Sequence, residues 1–272
     1  MQTDYVQRFL FERLDIRGRL VSLTGAWREL LAGRDYPEPV VALLGETVTL
    51  AVLLGANQKG RGRVTLQVEG SGPLRLLVAD CDSELRIRGM ATYEADGRPL
   101  LGEGKMAVTL EEGPSGRSYQ SLVPLEAPTL AACFERFLAQ SEQIPAWLRL
   151  YADRRAACGL LLEKLPSAEA CDPEGWSRIL AMADRLELAD SIGRQPYDLL
   201  VQLFPEELLR VFRLHAVCYR PGDRSRVEQM LRSLGRKELE AILAEHGEIR
   251  VRDEMANREY RFDRSAVEAL FA

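Results

Sequence analysis

The chain has 272 residues, with 36 Lys plus Arg against 41 Asp plus Glu and a formal net charge of -5. That length suits one large domain, or a medium domain with a small companion, and 46% hydrophobic with 28% charged residues excludes wholesale disorder. A mildly acidic chain grips a polyphosphate backbone poorly, which sets general nucleic-acid binding aside.

Taken in chain order, Phe9, Phe11 and Leu14 lead into an extended run from Gly18 to Leu23. Thr24 is placed to cap a short helix carrying Trp27, Leu30 and Leu31 on one face, with Gly33 as its stop. Pro37 and Pro39 open a longer helix ending near Gly55, apolar nearly all round, as a central buried helix should be. Glu46, Thr47 and Thr49 interrupt it, and the stretch reads as too short and too polar to span a bilayer. The first residues lack the basic start and apolar run of a signal peptide.

The period then changes from helical to two. Val64, Leu66 and Val68 alternate with polar residues, as do Leu85 and Ile87, and Met106, Val108 and Leu110. Leu74 to Ala79 is continuously apolar, and Tyr119 to Leu125 continues the series. Gly70-Ser-Gly-Pro73 and Gly113-Pro-Ser-Gly116 supply turns, so the region reads as an antiparallel sheet. Thr129 caps a helix through Leu138, Pro145 stops it, and strands follow over 147–151 and 158–165. Residues 1–171 therefore form an α+β domain, a large antiparallel sheet packed with helices.

Asp172-Pro173-Glu174 is a strong helix start, and the reading makes 172–216 a helical linker broken near Gly193, Pro196 and Pro205. Leu199, Leu200, Val201, Leu203, Phe204, Leu208, Leu209, Val211 and Phe212 give it dense apolar bulk. Such a segment must cover something or meet a partner. Residues 217–272 form a compact tail with balanced charge. Asp223 caps a helix closed by Gly235, a second helix ends at His246-Gly247, and a hairpin and a last turn follow.

Catalytic patterns are lacking. Gly55 to Gly62 holds glycines and cations but lacks the Gly-Lys-Ser/Thr ending of a phosphate loop, and no Gly-x-Ser-x-Gly occurs. The five cysteines (Cys81, Cys133, Cys158, Cys171 and Cys218) form no Cys-x-x-Cys or Cys-x-Cys pair, which suits reduced thiols in the cytoplasm. Cys133 and Cys158 fall on apolar faces as core residues. The only histidines are His215 and His246; His215 with Cys218, joined by His246 or Asp253, is a weak zinc set.

Several strings, collinear along essentially the whole chain, resemble the redox-regulated 33-kDa chaperonin family of bacterial heat-shock holdases. They are Arg8-Phe-Leu-Phe-Glu12, Ile16-Arg-Gly-Arg-Leu-Val21, Asp35-Tyr-Pro-Glu-Pro-Val40, Val68-Glu-Gly-Ser-Gly-Pro73 and Arg88-Gly-Met-Ala91. Most specific are Tyr119-Gln-Ser-Leu-Val-Pro-Leu125 and Gln140-Ser-Glu-Gln-Ile-Pro145, and Ile242-Leu-Ala-Glu-His-Gly-Glu-Ile249 followed by Tyr260-Arg-Phe262 is similar to the family's last module. The resemblance implies an α+β core, a helical linker and a small C-terminal zinc module. It also implies that oxidation of the module's thiols ejects zinc and uncovers apolar surface. Alignment on Ile242 to Ile249 puts the family's four zinc cysteines at Arg220, Gly222, Asp253 and Ala256, none of which is cysteine.

The expected function is an ATP-independent holdase without the zinc and thiol switch, with zinc and other cofactors absent. Its partners would be unfolded or partly folded clients, with room for a homodimer and no nucleic acid or membrane. The client surface would be the apolar linker positions 199–212 named above, with the sheet face beneath them. The alternative is a scaffold of the same fold for one folded partner. A thiol enzyme using Cys218 ranks below both.

Overall fold

The computed structural model describes residues 4–57, 62–94, 99–113 and 117–271. Residues 58–61 of the turn at 55–62 and residues 114–116 of the turn at 113–116 lie outside them. The chain forms two compact units, Met1–Tyr219 and Arg220–Ala272.

In the first unit β1 (Tyr5–Phe11) and β2 (Ile16–Leu23) form a hairpin, followed by α1 (Gly25–Leu31) and α2 (Glu38–Gly55). The five strands β3 (Gly62–Gly70), β4 (Leu74–Asp82), β5 (Arg86–Tyr93), β6 (Gly104–Glu112) and β7 (Arg117–Pro124) pair antiparallel in the order β5-β4-β3-β6-β7. After α3 (Leu130–Ser141), β8 (Ala146–Ala152) and β9 (Ala157–Lys164) extend the first hairpin into the order β1-β2-β9-β8. α2 lies between the two sheets and touches strands of both. That position explains its apolar sequence: a helix walled on two sides has little surface left for polar residues. By length and composition alone its 18 residues could cross a membrane, yet most of them are buried inside this unit.

Asp172-Pro173 does not open the next helix. A short α4 (Ala168–Cys171) precedes it and α5 (Gly175–Ala183) follows it. The Asp172 carboxylate accepts the Glu174 N–H at 3.0 Å and pairs with Arg178 at 2.9 Å instead. A 3-10 turn (Leu188–Ser191) leads to α6 (Pro196–Leu203). The linker read as helical to its end turns extended beyond Pro205. β10 (Leu209–Val211) and β11 (His215–Ala216) pair antiparallel with β1, and β12 (Cys218–Tyr219) pairs parallel with β5. The edges of both sheets recruit these residues, and paired edges outweigh local helix preference. β12 also explains why Val217 to Tyr219 stay with the first unit although periodicity starts the tail at 217.

The second unit contains α7 (Arg224–Leu234), α8 (Arg236–His246), the hairpin β13 (Ile249–Asp253) with β14 (Arg258–Phe262), and α9 (Arg264–Ala269). Asp223 caps α7 through the Ser225 N–H, and Gly247 ends α8 in the left-handed region at φ 78°. Val227, Leu231, Leu239, Leu243, Ile249, Tyr260 and Phe262 make its core.

Candidate functional site

The sheet containing β1, β2 and β9 is buried on both faces. Alternation sends Val6, Val21, Leu23 and Leu161 toward α2, and sends Phe9, Phe11, Ile16, Leu20, Leu160 and Leu162 to the opposite face. Gly18, opposite Phe9 on β2, makes that second face smooth. A Cβ there would lie 2.1 Å from Phe9 Cζ, so the ring rests directly on the β2 backbone.

The linker covers this face. Ile179 and Ala183 of α5, Leu188, Leu199 and Leu200 of α6, and Phe204 complete one hydrophobic cluster with it. Phe204 reaches Phe9 at 6.3 Å and Phe11 at 4.9 Å between ring centroids. Burying each such side chain contributes roughly 1.5–3 kcal/mol, which makes these residues the main adhesive of the cover.

Polar ties fasten its end. The Glu12 N–H donates to the Leu208 carbonyl at 3.0 Å, the Phe212 N–H donates to the Arg8 carbonyl at 3.0 Å, and Gln7 Nε2 donates to the Phe212 carbonyl at 2.6 Å. Arg178 bridges Asp172 and Glu207, and the Arg178 hydrogen bond holds the Asp172 carboxyl below the usual carboxylate range. Burial pushes the Tyr5 hydroxyl up to about 12 while it donates weakly to the Arg194 carbonyl at 3.4 Å. A pocket of about 560 Å³ lies within the cover, bordered by Met182, Leu186, Leu199 and Leu203. The cover is thus held by apolar contact, by the pairing of β10 and β11 with β1, and by a few ion pairs.

The expected surface residues separate into three groups. Leu199, Leu200 and Phe204 are fully buried against the sheet. Leu203, Leu209 and Val211 are half-buried beside them. Leu208 and Phe212 are exposed, and the Arg8 guanidinium lies 5.8 Å from the Phe212 ring centroid. Tyr197 at 60% and Val201 at 45% are also exposed on α6; Val201 lies in the apolar run read from the sequence, and Tyr197 stands outside it. Helical spacing carries the missed signal. Positions 196, 199, 200 and 203 share the inner face of α6, which leaves 197 and 201 on the outer one. The sheet-side partners Phe9, Phe11, Ile16 and Leu20 are the other half of the site.

The zinc-equivalent positions lie in the second unit. A Cβ on Gly222 would sit 2.2 Å from the Tyr260 hydroxyl and 3.2 Å from the Ala256 Cβ. The Ala256 N–H donates to Asp253 Oδ1 at 3.0 Å. Gly222, Asp253 and Ala256 thus converge beside Tyr260, whose buried hydroxyl has no hydrogen-bond partner and whose pKa burial raises. This set does not fit zinc. Glycine and alanine offer no side-chain donor, arginine is cationic, and Asp253 already accepts a backbone N–H. His215 and Cys218 belong to the first unit, paired to different sheets, while His246 and Asp253 belong to the second. Among the described residues no three His, Cys, Asp or Glu side chains are grouped as metal ligands would be. Cys81, Cys133 and Cys158 are buried, and Cys171 and Cys218 are exposed. Burial raises the thiol pKa of both Cys81 and Cys158, so neither is poised as a nucleophile.

Residues 4–263 match the family described as Hsp33 protein. The chain is 39% identical to the 33 kDa chaperonin of Nitrosococcus oceani, over 98% of this chain and 94% of that one. It is 36% identical to that of Chromobacterium violaceum, again over 98% and 94%. The crystal structure of the 33 kDa chaperonin from Thermotoga maritima superposes with a TM-score of 0.82 at 22% identity, covering 98% of this chain and 97% of that one, and shows the shared α+β fold. The chain belongs to the Hsp33 family, whose members are chaperones and not enzymes.

Proposed function

We propose that this protein is an ATP-independent cytoplasmic holdase that binds unfolded or partly folded proteins through the linker and the sheet face beneath it. The observation that carries this reading is the covered face itself. Phe9, Phe11, Ile16, Leu20, Leu160 and Leu162 form a contiguous apolar surface closed by a linker and not by the sheet's own core helix. Release of that linker would offer a surface matched to the apolar segments of an unfolded client.

In this reading the zinc and thiol switch is missing. Arg220, Gly222, Asp253 and Ala256 occupy its four positions, so oxidation has no metal-bound thiolates to attack. Access is then gated by local unfolding of the linker, promoted by heat. The second unit relies on a small apolar core, and a module of that size without a metal is only marginally stable.

Light scattering of a heat-denaturing client tests the proposal. The reduced protein should suppress aggregation, and peroxide should leave the suppression within about twofold. Activity that appears only after peroxide would refute the switchless reading. A stoichiometric complex with one native protein and no effect on aggregating clients would favour the scaffold alternative.

A further inference from the structure

The opposite face of the same sheet carries a second, chemically different feature. A pocket of about 330 Å³ opens where the C-terminal end of α2 meets α3, β6, β7 and the β2–β9 pair. Leu54, Leu110, Phe134, Phe137, Leu138 and Ile144 form its apolar wall. Arg17, Arg19 and Glu163 supply its charged lining.

The hydrogen bonding of that lining is incomplete. The Arg19 side chain is only 5% exposed. Its Nη1 donates to the Leu53 carbonyl at 2.7 Å, its Nη2 pairs with Glu163, and its Nε has no partner. Arg17 gives Nε and Nη2 to the same carboxylate at 2.8 and 2.9 Å, which leaves its Nη1. Glu163 therefore answers two guanidinium groups with one negative charge. Glu142 also borders the pocket, but it is solvent-exposed, where water screens its charge. A buried cation with an unsatisfied N–H, beside an apolar cleft, calls for an anionic acceptor on an apolar body.

We infer that this pocket binds a small monocarboxylate with an apolar tail, the carboxylate meeting Arg17 and Arg19 and the tail lying against Leu110, Phe134 and Phe137. Within the buried lining the two guanidinium groups exceed Glu163 by one positive charge, a balance that suits a monoanion. The volume lies at the small end of ligand pockets and suits a ligand of about ten heavy atoms. The site faces away from the linker-covered surface and does not depend on client capture.

Titration calorimetry of the full chain with octanoate, octanol and acetate tests it. Octanoate should saturate a single site, with octanol and acetate each at least about tenfold weaker, the factor expected for losing a charge-assisted hydrogen bond or the tail. Arg17→Gln should weaken octanoate about tenfold, and Leu110→Trp should abolish binding by filling the pocket. Glu142→Gln, on the exposed rim and outside the folded core, should tighten binding by less than about threefold. Octanol binding as well as octanoate, binding at several sites, affinity unchanged in Arg17→Gln and Leu110→Trp, or no octanoate binding at all would each overturn the assignment.

Discussion

Phe204 stands edge-on to Phe11, with ring centroids 4.9 Å apart and ring planes at 82°. One ring belongs to the linker and the other to the sheet, so this contact measures how firmly the cover is closed. Phe204→Ala should cost about 3–5 kcal/mol of cover stability, because both transfer and cavity contributions are lost at a fully buried position. The cost falls on local opening. The variant should bind an apolar dye at a lower temperature than the parent and suppress client aggregation at that lower temperature. A variant whose dye-binding and activity profiles match the parent's would show that Phe204 does not hold the cover.

Glu46 makes a pH prediction. It lies on α2, and burial pushes its carboxyl up to about 7 from the ordinary 4.5. Such an acid keeps its proton in the folded state after the unfolded chain has released it. Stability therefore falls as pH rises from about 4.5 to about 7 and levels off above that. Glu46→Gln removes the penalty. Its gain should be small at pH 4.5 and reach about 1–3 kcal/mol at pH 8, read as a difference in chemical unfolding midpoints.

Gly222 tests the second unit. Alanine there would place its Cβ 2.2 Å from the Tyr260 hydroxyl, so the tyrosine ring must move. Overpacking of this kind costs roughly 1–3 kcal/mol. Limited proteolysis should cut within 220–272 of Gly222→Ala before the first unit is attacked. Metal analysis of the purified, reduced parent should find zinc well below one equivalent, since the side chains at 220, 222, 253 and 256 cannot form a tetrahedral thiolate or imidazole site.

Asp4 makes a further prediction and marks where local sequence is insufficient. Thr24 sits at the expected N-cap of α1 but makes no side-chain cap. The Asp4 carboxylate accepts the N–H groups of Thr24, Gly25 and Ala26 at 2.6, 3.2 and 3.0 Å instead. Asp4→Ala should cost about 1–2 kcal/mol, and Thr24→Ala much less, in thermal unfolding.

What could be read in advance follows from how locally each signal is written. α2 was visible because two sheets demand an apolar helix, and β9 because every residue from Ala157 to Glu163 is buried between two layers. Asp223 and Gly247 act where they stand, so the ends of α7 and α8 were legible. Residues 209–219 were not. Their strands are three residues or fewer and are defined by the edges they join, β1 and β5, far away in sequence. The linker was recognisable as apolar, but which of its residues are spent on the sheet is a fact of packing. Leu199, Leu200 and Phe204 are buried while Leu208 and Phe212 remain exposed. The Arg17, Arg19 and Glu163 cluster was invisible in sequence for the same reason, since it is assembled across the β2–β9 pairing.

Hydrogen exchange read by mass spectrometry, on the reduced protein alone and with a heated client bound, tests the central claim most directly. Segments 175–204 and 205–212 should lose protection as the client is held, while β1 and β2 remain protected under client in place of linker. Client retention with 175–212 as protected as in the free protein would contradict the account.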